Sequence, residues 1–122
     1  MQEISLRIRP VKLPGSEKAV VAERKISGYL LSLRHPTGRN KALWLTEYGF
    51  TPETLGEALR HHAAAHDVAR IEESPFGKRF VIEGTLVTLD GRNPSVRSIW
   101  FIETGDDVPR LVTLYPLRRS DT

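Results

Sequence analysis

Residues 68–117 read VARIEESPFGKRFVIEGTLVTLDGRNPSVRSIWFIETGDDVPRLVTLYPL. Three turn signals divide this stretch: Phe76-Gly77-Lys78, Asp90-Gly91-Arg92-Asn93 and Thr104-Gly105-Asp106-Asp107. Between them lie runs rich in branched and aromatic residues, roughly Val68–Glu73, Arg79–Leu89, Ser95–Glu103 and Arg110–Leu117. Short β-rich runs joined by Gly/Asp/Asn turns read as an antiparallel meander of four strands.

Upstream of Val68 the period is helical. Thr51 followed by Pro52 supplies an N-cap and a proline at the first helical position. Leu55, Ala58, Leu59, His62, Ala63 and His66 then fall on one stripe, so a helix is expected from Thr51 to about Asp67, with Leu55 and Leu59 buried. The run before it, KISGYLLSLRHPTGRNKALWLTEYGF (25–50), holds two apolar segments around a turn that Pro36 and Gly38 force. Ser27 is a plausible cap for a short helix through about Ser32, and Asn40 for one running to about Tyr48. Gly49 sits where a left-handed residue ends that helix, with Phe50 placed to cover Leu45. Ile4, Leu6 and Ile8 alternate with polar residues as in a half-buried strand, closed by Pro10 and Pro14-Gly15, and Ala19–Val21 suits a short extended piece. Helices followed by strands is an α+β order: two or three N-terminal helices packed on a four-stranded antiparallel β-meander. The expected organisation is one domain over 1–122, with an N-terminal strand and turn (1–17), a helical part (18–66) and the sheet (67–117).

At 122 residues the chain suffices for one core. Hydrophobic content of 39% and charged content of 27% are those of a folded soluble protein. No apolar run approaches the roughly 20 residues that span a bilayer, and MQEISLRIRP is no signal peptide, so a bacterial-type cytoplasmic protein without membrane contact is expected. Without cysteine, metal sites have only His and carboxylate ligands. The net charge of +3 is uneven: residues 1–41 carry nine Lys/Arg against three Glu, giving +6, and the rest sum to −3. A basic front suits a polyanion such as RNA, and it also suits an ordinary solvated face.

Most motif-borne chemistry is missing. There is no P-loop, dinucleotide fingerprint or Gly-x-Ser-x-Gly elbow. His62 and His66 have the four-residue spacing of a two-histidine zinc site, but Ala63-Ala64-Ala65 lies between them where a metalloprotease has its glutamate, so no metal and no cofactor are expected. What remains is the basic turn, with Arg34, His35, Arg39 and Lys41, and three polar residues in apolar strands: Arg97, Thr113 and Tyr115. Thr113 and Tyr115 are two apart and share a face. Metal-independent RNA cleavage needs a base for the 2′-OH, cations for the phosphorane and an acid for the 5′-oxygen. In that reading His35, Lys41, Arg97, Thr113 and Tyr115 are catalytic, and Arg34 and Arg39 bind substrate. The other reading stays open: His35 caps a turn, Lys41 solvates a helix start, and Thr113 and Tyr115 merely pack. The chain is then a non-catalytic binding or assembly module, using a sheet edge or Trp44, Trp100 and Phe101.

The pattern Lys25…Tyr29-Leu30-Leu31…His35-Pro36-x-Gly38-Arg39-x-Lys41-Ala42…Gly49-Phe50, with Arg110–Tyr115 near the end, resembles a bacterial domain family of unknown function over about residues 18–117. That family resembles the C-terminal nuclease domains of polymorphic toxins, grouped with barnase-, colicin- and RelE-like ribonucleases. The resemblance implies helices before an antiparallel sheet, RNA (tRNA among it) as substrate, and an immunity protein or antitoxin as partner. It matches His35 and Lys41 to the front motif and Arg97, Thr113 and Tyr115 to polar sheet positions.

Overall fold

A computed structural model of the chain describes residues 11–30 and 39–117. Three helices precede a four-stranded antiparallel sheet: α1 (Glu23–Lys25, continued by a π-helical turn Ile26–Leu30), α2 (Arg39–Glu47) and α3 (Pro52–Ala65), then β1 (Val68–Ser74), β2 (Gly77–Thr85), β3 (Ser95–Glu103) and β4 (Arg110–Pro116). The strands lie in the order β1-β2-β3-β4, so the meander expected from the turn residues is the observed topology, and the fold is α+β.

Local chemistry sets the helix ends. At the start of α3 the Thr51 side chain accepts from the Thr54 backbone N–H at 3.3 Å, and the Thr54 hydroxyl accepts from the Thr51 N–H at 2.8 Å. This reciprocal box satisfies two of the donors that a helix start leaves open. At the end of α2, Gly49 takes φ 88°, its N–H reaches the Thr46 carbonyl, and the Phe50 N–H reaches the Leu45 carbonyl. That is the Schellman ending, with Phe50 and Leu45 both buried in the core. Two caps fall elsewhere than expected. The helical run that holds Ser27 begins at Glu23, so Ser27 lies inside the turn; Asn40 is the second residue of α2 and does not precede it. The strand expected over Ile4–Ile8 lies outside the described residues. Ala19–Val21 does supply an extended piece, bridging in parallel at Val20 and Arg110.

One face of the sheet carries the core. Phe80, Ile82, Val96, Trp100, Leu111 and Leu114 meet Leu55, Leu59 and Ala63 of α3 and Leu45 of α2, and all are buried. Trp100 is fully enclosed and donates its indole N–H to Ser98 Oγ at 2.8 Å. Burying side chains of this size is worth roughly 1.5–3 kcal/mol each, which makes this face the main stabiliser. Trp100 is therefore core, not the exposed aromatic that the binding-module reading wanted; Trp44 is half-buried against the same cluster.

Candidate functional site

Register fixes what shares the opposite, outer face. Glu83 pairs with Arg97 and Arg97 with Tyr115; Val81 pairs with Ile99 and Ile99 with Thr113; Arg79 pairs with Phe101 and Phe101 with Arg110. Side chains alternate along a strand and directly opposed residues face the same way, so these form three parallel rows. A register shift between Ile99 and Trp100 is what keeps both Leu111 in the core and Thr113 on the outer face.

Lys41, near the start of α2, reaches this face. Its ammonium donates to Thr113 Oγ1 at 2.9 Å and stands 4.0 Å from the centre of the Tyr115 ring. Thr113 is buried, Tyr115 is exposed, and Lys41 is half-buried. A cation over a tyrosine face is held there by the ring quadrupole. Lys41 and Thr113, 72 residues apart in sequence, thus meet beside Tyr115 at the β4 edge. Beside them, Arg97 donates to Glu83 Oε2 through Nε at 2.8 Å and approaches the same oxygen through a terminal nitrogen at 2.7 Å. The pair is half-exposed, with Arg97 directly across from Tyr115. Lys41, Thr113, Tyr115 and Arg97 are hence brought together.

Glu83 was not singled out from the sequence. The missing information was register: the run Arg79–Leu89 does not say which residue of Ser95–Glu103 lies opposite. The period-2 rule would have put Glu83 on the face of Arg79, which was the available signal. His35 and Arg34 lie outside the described residues. Arg39 opens α2, and its side chain lies outside the description as well.

The helix histidines are engaged differently. His62 Nδ1 lies 3.1 Å and His66 Nε2 3.0 Å from the same acceptor, the Thr85 carbonyl, so each ring donates to it. His62 is fully buried, and its Nε2 makes no hydrogen bond among the described residues. Burial pushes its pKa below the ordinary histidine value; the Thr85 carbonyl opposes this, and the nearby His66 and His61 add to it. Both rings thus serve helix–sheet packing. Among the described residues no three His, Asp or Glu side chains converge as a metal site would need.

A cleft of about 600 Å3 opens on the helix side of the sheet, between Pro14–Lys18 and the far ends of β2 and β3, away from this cluster. Its walls carry Glu17, Glu73, Glu103, Asp106 and Asp107 against Lys18 and Lys78. Lys18 pairs with Asp107, whose carboxyl is held below its usual range chiefly by that hydrogen bond. Such a cleft repels phosphate, so the cleft and the Lys41 cluster suit ligands of opposite charge.

Residues 12–118 match the model of a family described as Domain of unknown function (DUF6883). No curated protein matches the sequence. Among solved structures, one chain of a contact-dependent growth inhibition toxin–immunity protein complex from Klebsiella pneumoniae 342 shares the fold. Its TM-score is 0.66 at 14% identity, over 85% of this chain and 97% of that one. No helix among the described residues is long and apolar enough to cross a membrane.

Proposed function

We propose that this chain, which belongs to the DUF6883 family, is a small endoribonuclease of the bacterial toxin type that cleaves RNA without a metal ion or cofactor. The observation that carries the reading is the convergence of Lys41, Thr113 and Tyr115 beside the Arg97–Glu83 pair on the outer sheet face. Thr113, Tyr115, Arg97 and Glu83 are strand-mounted and held in place by the ladder, as preorganised catalysis requires.

The chemistry follows from the groups. A base takes the proton of the 2′-OH, whose oxygen attacks phosphorus. The P–O5′ bond breaks, the 5′-oxygen accepts a proton, and a 2′,3′-cyclic phosphate remains. Lys41, and Arg97 with it, would stabilise the added negative charge on the non-bridging oxygens. The Thr113 hydroxyl, fixed by Lys41, would position one of those oxygens. Glu83 is a carboxylate beside an arginine and would serve as base, with His35 as the proton donor to the leaving oxygen; the alternative split gives His35 the base role. Arg34 and Arg39 would hold flanking phosphates. The reading further takes RNA, tRNA among it, as the cytoplasmic substrate. It takes a protein of the immunity or antitoxin kind as partner, in keeping with the shared fold of a toxin–immunity complex.

A second reading, a non-catalytic protein-binding module, is favoured by a different feature. Leu89 is 97% exposed and Phe76 75% exposed, both on tight turns. Lys41→Ala and Thr113→Val separate the two. In the ribonuclease reading each lowers the cleavage rate by about 10²–10³-fold, the scale of losing one charge-stabilising donor, in proteins that still melt cooperatively. Unchanged rates in both variants would remove the cluster from catalysis.

A further inference from the structure

The outermost of the three rows is not used by the cleavage chemistry. Arg79, Phe101 and Arg110 lie side by side across β2, β3 and β4. Phe101 is half-buried, with its ring lying over Gly77: a Cβ at position 77 would sit 2.7 Å from Phe101 Cζ. Both arginines are exposed. Arg70 is held by Glu72 and Arg97 by Glu83, yet neither Arg79 nor Arg110 makes an ion pair among the described residues. The outer face as a whole presents Arg70, Arg79, Arg97, Arg110 and Lys41 against Glu72, Glu83 and Glu103.

An apolar ring flanked by two exposed guanidinium groups has the two parts of a single-strand subsite: a surface on which a base can stack and cations for the phosphates on either side. A paired duplex hides its base faces, so this arrangement discriminates in favour of unpaired nucleotides. Phe101 stands four residues along β3 from Arg97, about 13 Å at the rise of a strand. That distance spans about four nucleotides at a stacked rise of ~3.4 Å, and fewer in an extended strand. We propose that Arg79, Phe101 and Arg110 form an RNA subsite for unpaired nucleotides flanking the scissile phosphate. This rests on the ribonuclease reading of the neighbouring cluster, and it commits that enzyme to substrates with a single-stranded segment of several nucleotides.

The test uses the full chain and two synthetic RNAs, a fluorescent single-stranded octanucleotide and a dinucleotide too short to reach both places. A blunt duplex of the octanucleotide sequence is the control. Phe101→Leu keeps an apolar side chain over Gly77 and removes the stacking ring. Arg79→Ala/Arg110→Ala removes the two charges from exposed positions. Phe101→Leu should weaken octanucleotide binding roughly ten-fold. The double arginine variant should flatten the salt dependence, lowering the slope of log K against log salt by about 1.4, the single-strand value for two phosphates. In cleavage, both variants should raise KM for the octanucleotide with kcat unchanged, and change neither constant for the dinucleotide. Duplex binding should be indifferent to Phe101→Leu. Octanucleotide binding equal to wild type in both variants would overturn the subsite while leaving the nuclease intact. Binding lost in the variants, with no cleavage by the wild type, would uphold the subsite and overturn the nuclease. Equal losses on octanucleotide and dinucleotide, or a wild type that does not bind the octanucleotide, would also refute the subsite.

Discussion

The buried His62 makes the stability of this protein depend on pH in a predictable direction. In the unfolded chain its imidazole titrates near the ordinary value of about 6.5. In the folded chain burial depresses that value, because the charged ring would sit in the core away from water. The unfolded state therefore binds more protons as the solution is acidified, and stability falls with falling pH. The contribution is complete above pH 6.5 and erodes below it at up to about 1.4 kcal/mol per pH unit, until the folded-state value is passed. At pH 5 the largest possible loss is about 2 kcal/mol, set by the unfolded pKa alone. With a urea slope of about 1–3 kcal/mol per molar, that corresponds to a midpoint lowered by about 1 M. The matching perturbation is His62→Asn, whose amide can still donate to the Thr85 carbonyl but does not titrate. The variant should be less stable at pH 7, since the smaller side chain leaves space in the core. Its urea midpoint should change much less between pH 7 and pH 5 than that of the wild type. The carboxylates are common to both proteins and drop out of the comparison. Asp90, held at about 2 mainly by the Arg92 backbone N–H and then the Thr88 hydroxyl, titrates below this window. A wild-type midpoint that does not fall, or an equal fall in His62→Asn, would refute the argument.

Other outcomes follow from single contacts. Gly84→Ala would place a Cβ 2.4 Å from the His66 ring. It should cost about 1–3 kcal/mol in urea denaturation as the ring is driven off Thr85, and His66→Ala should relieve most of that cost in the double variant. Thr51→Ala removes the side-chain acceptor for the Thr54 N–H and should cost about 1 kcal/mol, read as a lower melting temperature.

Several features were legible in the sequence because they rest on local chemistry. The cap at Thr51, the left-handed Gly49 with Phe50 over Leu45, and the span of β3 each follow from a residue acting on its neighbours. The end of β2 was not legible. The apolar alternation runs on to Leu89, but Thr88 donates its backbone N–H to Asn93 and its hydroxyl to Asp90, so the chain leaves the ladder at Thr85. Side-chain bonds within the loop outcompete the pattern there. In the candidate site, spacing alone put Thr113 and Tyr115 on one face. Lys41 joins them only because the start of α2 lies near the β4 edge, and Arg97 and Glu83 only through strand register; both are tertiary facts that no window of sequence contains. Trp100 illustrates the converse. Its strand period allowed either face, and the packing of α3 decided for the core.

Whether this chain cleaves RNA by groups of its own is decided by incubating the purified wild-type protein with tRNA, ribosomal RNA and messenger RNA, with and without EDTA, and analysing the new 3′ ends. Discrete cleavage that EDTA leaves unchanged is expected, with products ending in a 2′,3′-cyclic phosphate. Intact RNA in every reaction with folded protein, or cleavage that EDTA abolishes, would contradict it.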